Sequence, residues 1–337
     1  MRILENATTE YFSGSGPAKS AVSVHLTDAQ QALVDAIRSH TETTCLQSST
    51  DSYFLQELSP IRQNLIDWIA FSGQETVLEL GGKTGILTKC LCERCKTVTS
   101  IVTSEPDAYV NAVRNGGSEN LRIWLSGNGH AQNHPRENAK YFDTVTLVGA
   151  DAALYQGIFS HPDAPTATVP KSEPTAISDA APQPHQQYEQ LLALSHDCLK
   201  PGGRLILAIN NRLGIQYWSG KTDVCSPALF GSIQGDTEGA TEYCFSKKQL
   251  SSMLEKTGFE AVQFYYPVPD YRYPTQIFSD AYLPQVGDIR PTSTHYDDVR
   301  YQLFDEKKAF DSLCADGLFD QFANSFLVLC EKGGEQK

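Results

Sequence analysis

The sequence predicts an α/β protein built around a mostly parallel sheet. Three observations predict it: short apolar runs alternate with segments of helical periodicity from residue 76 onward, a glycine-rich turn follows the first run, and long connections follow the later ones. Parallel strands need crossover connections, usually helices, which cover both faces of the sheet. With 337 residues, the chain is long enough for one large domain with insertions or for two modest ones.

Seven segments are predicted as strands because they are short and rich in apolar and β-branched residues. They are TVLEL at 76–80, TVTSIV at 97–102, LRIWL at 121–125, FDTVTLVG at 142–149, GRLILAIN at 203–210, EAVQFYY at 260–266 and NSFLVLCEK at 324–332. The helices predicted between them include ILTKCLCER at 86–94, DAYVNAVRN at 107–115, YEQLLALSHDCL at 188–199 and SKKQLSSMLEKTGF at 246–259. This alternation is typical of a sheet with helices on both faces.

The chain is predicted to begin with a helical lead-in, residues 1–58, and to continue as one α/β domain over residues 59–337. Ser59 and Pro60 supply an N-cap and a first-turn proline for a helix over 60–71, with which the domain would open.

Two segments interrupt the alternation. Residues 161–185 are rich in Pro, Ala, Ser and Thr and almost lack large apolar side chains, so they are predicted to form a mobile loop. Residues 267–322, an insertion between strands six and seven, contain aromatic residues and a helical pattern. The insertion is therefore predicted to be ordered.

Composition restricts the function. The net charge of -13 disfavours nucleic-acid binding, which needs a basic face. No stretch approaches the roughly 20 apolar residues that span a bilayer, and the first residues lack the features of a signal peptide. We therefore expect a cytoplasmic protein with no membrane span.

The nine cysteines are scattered and odd in number, which favours reduced thiols over a disulfide framework. Cys90, Cys92 and Cys95 form the one cluster that resembles a metal site. No His or fourth Cys stands beside them to complete a tetrahedron, so we expect buried apolar residues there and predict no metal.

The turn after the first strand, ELGGKTG at 79–85, contains glycines that would let the backbone approach a ligand closely. A tight turn without a ligand is the alternative. A phosphate loop is excluded because Val77 stands where its leading glycine belongs, and a dinucleotide fingerprint fits poorly because Lys83 replaces the middle glycine.

At this turn the sequence resembles a known family. VLELGGKTGILTKCL resembles motif I of the class I S-adenosylmethionine-dependent methyltransferases, matched at Glu79, Gly81 and Gly85, and KPGGRLILAINNR and SKKQLSSMLEKTGF resemble later parts of the same fold. The resemblance runs from about Ser59 to the C-terminus. It implies a Rossmann-like sheet of seven strands, mostly parallel, with an antiparallel last strand.

Three longer segments resemble one bacterial branch of that family. They are NRLGIQYWSG at 211–220, YYPVPDYRYPTQIFSDAYLP at 265–284 and LFDEKKAFDSLCADGLFDQFANSFLVLCEK at 303–332. Members of this branch are often joined to, or encoded beside, glycosyltransferases of surface polysaccharides. The resemblance thus implies a glycosyltransferase or another biosynthetic-pathway protein as partner.

The resemblance implies S-adenosylmethionine as cofactor, with Glu79, Gly81, Gly82 and Gly85 around its amino-acid end. The family places an acidic residue after the second strand to bind the ribose. Here Val102 or Thr103 occupies that position, and the nearest carboxylate is Glu105. After the third strand, Asn128 takes the place of the usual acidic contact to adenine. The cofactor candidates are therefore Glu79, Gly81, Gly82, Gly85, Thr103, Glu105 and Asn128.

The acceptor pocket is predicted at the carboxyl ends of the strands, where open parallel sheets bind ligands. The connections after strands four, five and six are the longest and would wall it. The catalytic candidates are His185, Asn211 and Tyr217. The substrate candidates are Tyr266, Asp270, Tyr271 and Tyr282, because aromatic faces with phenolic tips suit a sugar or another amphipathic small molecule. Helix capping by the asparagine and packing by the tyrosines remain alternatives.

Two classes of function follow. The first is a methyltransferase acting on oxygen or nitrogen of a small molecule, such as a sugar or a saccharide-linked intermediate. The second is a binding or scaffold protein that keeps the fold without turnover, or catalyses a different reaction, because Lys83 and Val102 depart from the family pattern.

Overall fold

The computed structural model describes residues 24–126, 140–159, 183–236, 240, 242–290 and 300–334. Its strands are β1 (Thr76–Leu80), β2 (Thr97–Val102), β3 (Leu121–Leu125), β4 (Phe142–Val148), β5 (Leu199–Asn210), β6 (Phe259–Val268), β7 (Gln276–Ser279) and β8 (Ser325–Lys332). They form one sheet in the order β3-β2-β1-β4-β5-β8-β6-β7.

The first five strands are parallel, and β8 runs antiparallel between β5 and β6. Strand β6 therefore points in the same direction as β1 to β5. The predicted α/β architecture and the antiparallel last strand are confirmed.

The helices that flank the sheet are α1 (Asp28–Arg38), α2 (Glu42–Ser48), α3 (Ser52–Leu58), α4 (Asn64–Asp67), α5 (Ile86–Arg94), α6 (Glu105–Asn115), α7 (Ala152–Phe159), α8 (Pro184–Cys198), α9 (Ile215–Trp218), α10 (Gly231–Gln234), α11 (Lys247–Thr257), α12 (Glu306–Ala315) and α13 (Phe319–Phe322). No helix among the described residues is long and apolar enough to cross a membrane.

Side chains alternate between the two faces of the sheet and build two apolar clusters. On β1, Leu78 and Leu80 join the cluster under α7, α8 and α11, whereas Val77 joins the one under α4, α5 and α6. A third cluster packs α1 against α6 through Leu33 and Val110. The helical lead-in thus lies directly against the α/β domain.

The sheet has eight strands rather than the seven predicted. The additional strand, β7, comes from the insertion and pairs antiparallel with β6 over Tyr265–Val268. A run of four residues is too short to stand out as a strand in the sequence, and it becomes one here because β6 offers it a free edge. The described parts of the insertion, 267–290 and 300–322, carry β7, α12 and α13.

The helix predicted over 60–71 is wrong in length. A 3-10 helix at Pro60–Gln63 and the single turn of α4 replace it, although Ser59 Oγ does accept a hydrogen bond from the Ile61 amide as an N-cap should. One turn suffices to bury Leu65 and Ile66 against the sheet. Beyond this turn, the chain runs on to β1.

The predicted mobile loop over 161–185 lies outside the described residues up to 182. Its last three residues are described: Gln183 is the N-cap of α8, and Pro184 and His185 lie in the first turn of that helix. Helix α8 therefore starts four residues before its predicted boundary, because a proline at the first helical position needs no amide partner.

The expectation that all cysteines are reduced is wrong for one pair. Cys225 and Cys244 form a disulfide between two segments 19 residues apart, with their Cα atoms 5.9 Å from each other. Such a pairing follows from tertiary proximity, which the sequence spacing does not reveal.

Cys90, Cys92 and Cys95 are buried, as expected. Burial raises the pKa of each thiol to about 12, which disfavours the thiolate that a metal would need. No metal-binding group of His, Cys, Asp or Glu occurs among the described residues.

Candidate functional site

The connections after the parallel strands leave the sheet from one edge, as predicted. Tyr271, which follows β6, lies over Gly149, which follows β4: a Cβ atom built on Gly149 would lie only 2.8 Å from the Tyr271 hydroxyl oxygen. The segment after β6 therefore crosses back over the end of β4. This edge is where a ligand of an open parallel sheet is expected.

The glycine turn between β1 and α5 is held in place by α6. Gly85 has a φ of +86°, and a Cβ atom there would lie 2.5 Å from the side chains of Asn111 and Asn115. Those asparagines donate to the carbonyl oxygens of Lys83 and Gly85, respectively. Glycine at position 85 is thus required by packing, whether or not a ligand binds.

Glu79 faces the inside of the turn. Its side chain is buried, and Oε2 accepts hydrogen bonds from Thr88 Oγ1 at 2.6 Å and Ser100 Oγ at 2.7 Å. Burial raises the pKa of the carboxyl group above its usual value, although the two hydroxyl donors oppose this rise. A Cβ atom on Gly82 would lie 2.6 Å from the same oxygen. Glu79 therefore anchors the turn.

The amides of the turn are also engaged within the protein. The backbone N–H groups of Gly81 and Gly82 both donate to the carbonyl oxygen of Ile101, each at 3.0 Å. The turn is therefore joined to β2, and these two amides are not available to a ligand in this conformation.

Helix α7 lies directly on the ends of β1, β2 and β3. A Cβ atom on Gly81 would lie 3.4 Å from Leu154 Cδ2, and one on Gly157 would lie 2.7 Å from Thr103 Cγ2. Ser126 Oγ donates to the Gly157 carbonyl oxygen at 2.6 Å. The helix thus contacts the three strand ends over which a cofactor would extend.

Asp151 fastens the start of α7 to the glycine turn. One carboxylate oxygen accepts from the Leu154 amide at 2.8 Å and caps the helix, and the other lies 3.2 Å from Lys83 Nζ. Lys83, the residue that departs from the family glycine pattern, therefore joins the turn to α7.

A cavity at the turn, lined by described residues, has a volume of about 20 Å³. It is lined by Arg62, Glu79, Leu80, Gly81, Gly82, Lys83, Thr84, Ile86, Leu87, Thr146 and Val148. This is room for about one water molecule, whereas pockets for ligands the size of S-adenosylmethionine have volumes of about 300–1,000 Å³. In this conformation the cavity at the turn is by itself too small for the cofactor that the sequence resemblance implies.

The residues after β2 also differ from the ribose-binding pattern that the sequence resemblance implies. Val102 is buried in the cluster beneath α5 and α6, Thr103 contacts α7, and Glu105 is exposed at the start of α6, after the N-cap Ser104. Val102 itself thus offers no carboxylate, and the acidic side chains that follow β2 are Glu105 and Asp107 in the first turn of α6. Asn128, the adenine candidate, lies outside the described residues.

The three catalytic candidates do not form a constellation. The side chains of His185, Asn211 and Tyr217 make no hydrogen bond to one another within the described structure. Asn211 is fully buried; its Nδ2 donates to the carbonyl oxygens of Gln321 and Ala323, so it ties the segment after β5 to the one before β8.

The other two catalytic candidates also have structural contacts. Tyr217 is buried, and burial raises the pKa of its hydroxyl well above the usual value. His185 is half-exposed in the first turn of α8, where it contacts the edge of the Phe245 ring and lies 3.7 Å from Glu189.

Three of the four substrate candidates are buried. Tyr266 packs between Phe319 and Phe326, and its hydroxyl donates to Asp280. Tyr271 is buried over Gly149. Tyr282 is 70% exposed, so it alone among the four has a side chain mostly open to solvent.

Asp270, the fourth substrate candidate, lies in a buried charged cluster that the sequence did not predict. Its Oδ2 lies 2.8 Å from Arg272 Nη2 and 3.7 Å from Lys221 Nζ, and Lys221 also donates to Gln216 Oε1 at 3.1 Å. The side chains of Asp270 and Lys221 are 0% and 4% exposed. Nothing in the sequence around Lys221 distinguishes it from a solvent-exposed loop lysine.

The glycine in AALYQGIF is the sequence signal that could have indicated the position of α7. A glycine inside a helical segment often marks a close approach, and Gly157 is the point at which α7 meets Thr103 and Ser126.

No protein-family profile matches this sequence, and no curated protein matches it. Solved structures of similar fold include S-adenosylmethionine-dependent methyltransferases from Thermotoga maritima (14% identity, 90% of this chain and 99% of that chain, TM-score 0.41), Archaeoglobus fulgidus (13%, 84% and 100%, 0.44) and Mesorhizobium loti (12%, 82% and 100%, 0.43). At these identities, the likeness concerns the fold alone.

Proposed function

We propose that this chain is a ligand-binding protein built on a methyltransferase-like sheet, and that helix α7 takes the volume that the cofactor of a methyltransferase would need. One observation carries the proposal: Leu154 and Gly157 contact Gly81 and Thr103, so one helix covers the ends of β1 and β2. Methyl transfer requires the sulfonium carbon to be held in line with an acceptor. The cavity at the turn is too small for that arrangement in this conformation.

Two contacts hold α7 in the position that covers the turn. The ion pair between Lys83 and Asp151 holds α7 on the turn, although a partly exposed pair of this kind contributes only about 0.2–1 kcal/mol. Packing of Leu154, which is 2% exposed, is the larger contribution to the closed position. The predicted sugar-type acceptor and glycosyltransferase partner rest on the sequence resemblance and stay predictions.

We expect the native protein to bind neither S-adenosylmethionine nor S-adenosylhomocysteine. A ligand at a hundredfold its dissociation constant stabilises its protein by about 2.7 kcal/mol, so thermal unfolding with either compound is a sensitive measurement. No shift is expected here. Low-micromolar binding by calorimetry, or methyl transfer, would refute the proposal.

A methyltransferase whose α7 moves away is the second candidate. In its favour, Gly81 and Gly85 keep left-handed φ values of +81° and +86°, and Glu79 is anchored beneath them. Lys83→Gly combined with Leu154→Ala removes two of the contacts that hold α7 on the turn. Gain of S-adenosylmethionine binding in this variant, but not in the matched variant Leu192→Ala on α8, would favour this candidate.

A further inference from the structure

A cavity of about 480 Å³ lies near the β7 edge of the sheet, between the end of β6 and the first turn of α12. Its lining is Val268, Pro269, Ile289, Arg290, Gln302, Phe304, Asp305, Glu306, Lys307, Phe310 and Asn324. Four strand spacings separate β1 from β6, which is about 19 Å across the sheet. This cavity is therefore separate from the glycine turn.

The cavity has an apolar floor and a polar rim. Val268, Ile289 and Phe310 are buried in the cluster under the sheet, and the Phe304 ring is 38% exposed at the rim. Its volume falls within the range of about 300–1,000 Å³ that small-molecule sites occupy. The rings of Phe304 and Phe310 and the aliphatic side chains beside them favour a ligand with a ring or a chain of apolar atoms.

Three of the charged side chains in the lining already have partners. Asp305 accepts a hydrogen bond from the Lys308 amide. Glu306 pairs with Arg300 at 2.5 Å, and its carboxylate also accepts from the Ser219 hydroxyl. Lys307 pairs with Asp311, four residues further along α12. These groups stabilise the wall of the cavity and leave little charge for a ligand.

Arg290 differs from them. Its backbone amide donates to Gln276 Oε1, but its guanidinium group makes no hydrogen bond or ion pair with any residue that the structure describes. A guanidinium group offers a planar set of donors that matches a carboxylate, sulfonate or phosphate. The other cation in the lining, Lys307, pairs with Asp311, so the Arg290 guanidinium is the cationic group there without a partner among the described residues.

We propose that this cavity binds a small molecule that joins an apolar ring or chain to one anionic group, with the anion at Arg290 and the apolar part against Phe304 and Phe310. The proposal rests on the proposed function, in which the protein binds a ligand away from the cofactor position. The proposed function is tested by S-adenosylmethionine binding, and this site is tested by the binding of fluorescent probes. The failure of one proposal can therefore be distinguished from the failure of the other.

The test uses two fluorescent probes with the full chain. Anilinonaphthalene sulfonate carries an anion on an aromatic body, and N-phenylnaphthylamine has a similar body without charge. We expect Arg290→Gln to weaken sulfonate binding about tenfold, the loss of one charge-assisted hydrogen bond, and to leave the uncharged probe within about twofold. Arg290→Lys should recover part of the loss, and Phe304→Ala should weaken both probes.

Arg122→Gln is the matched control, because Arg122 is likewise exposed but lies on β3, at the opposite end of the sheet. It should change neither affinity. Equal sulfonate affinities in the native protein and Arg290→Gln would overturn the proposal, and so would an equal loss for both probes in that variant. Binding of S-adenosylmethionine without displacement of the sulfonate would contradict the proposed function and leave this site standing.

Discussion

Val102→Asp is expected to destabilise the protein by about 4–7 kcal/mol at a pH above the folded-state pKa of the new carboxyl group, because burial shifts that pKa by up to about 3–5 units and each unit corresponds to 1.36 kcal/mol. Val102 is 1% exposed in the cluster formed with Val77 and Ala208. The family resemblance expects a ribose-binding carboxylate at the end of β2, but a side chain at position 102 points into the core and away from the ligand edge.

The dependence on pH has a definite sign. The introduced carboxyl group would have a higher pKa in the folded than in the unfolded state, so stability should recover as the pH falls and the group becomes protonated, and should be lowest above the folded-state pKa. Urea unfolding in mildly acidic and mildly alkaline buffer measures this difference.

Val102→Ala is the control, since it removes the same packing without adding a charge. It should cost about 2 kcal/mol and show no added dependence on pH. If Val102→Asp costs no more than Val102→Ala in alkaline buffer, the side chain at position 102 reaches water. A carboxylate intended for the ribose belongs at Thr103, whose side chain lies against α7.

Asp270→Asn is expected to destabilise the protein by about 3–5 kcal/mol, because it removes a buried carboxylate that pairs with two cations. Lys221 and Arg272 both pair with Asp270, and their side chains are only 4% and 12% exposed. Asparagine keeps the size of the side chain and can still accept from the Arg272 amide, which aspartate accepts at 2.8 Å. The variant therefore isolates the charge. Equilibrium unfolding in urea provides the measurement.

Asp67→Asn tests the same substitution in an exposed ion pair. Asp67 lies 2.8 Å from Arg94, but its side chain is 46% exposed, so the expected cost is about 0.2–1 kcal/mol. Similar losses in the two variants would mean that the cluster around Asp270 is as well solvated as the surface, contrary to its burial.

Most strands of the sheet could be predicted from the sequence because each has a strong local pattern. TVLEL, LRIWL and FDTVTLV are short apolar runs bounded by turns and helices, and each became a strand at its predicted place. Strand β7 and the 3-10 helix at Pro60–Gln63 could not be predicted. Each has four residues, and the conformation of so short a segment depends on the element that it packs against.

The site candidates were less well predicted because their roles depend on neighbours distant in sequence. Asn211 binds carbonyl oxygens at Gln321 and Ala323, more than a hundred residues away, and becomes a structural link. Tyr266 and Tyr271 became packing residues for the same reason, as the alternative interpretation of the tyrosines allowed.

By itself, the sequence determined the α/β class, the parallel direction of the first strands and the position of the glycine turn, because periodicity and turn chemistry act over a few neighbouring residues. Only the tertiary structure decided which element packs against that turn. The approach of Gly157 to Thr103 joins two segments more than fifty residues apart, and a lysine at position 83 has a partner only once Asp151 is placed beside it. Long-range packing, which no local pattern records, decides whether a turn that resembles a cofactor site has room for the cofactor.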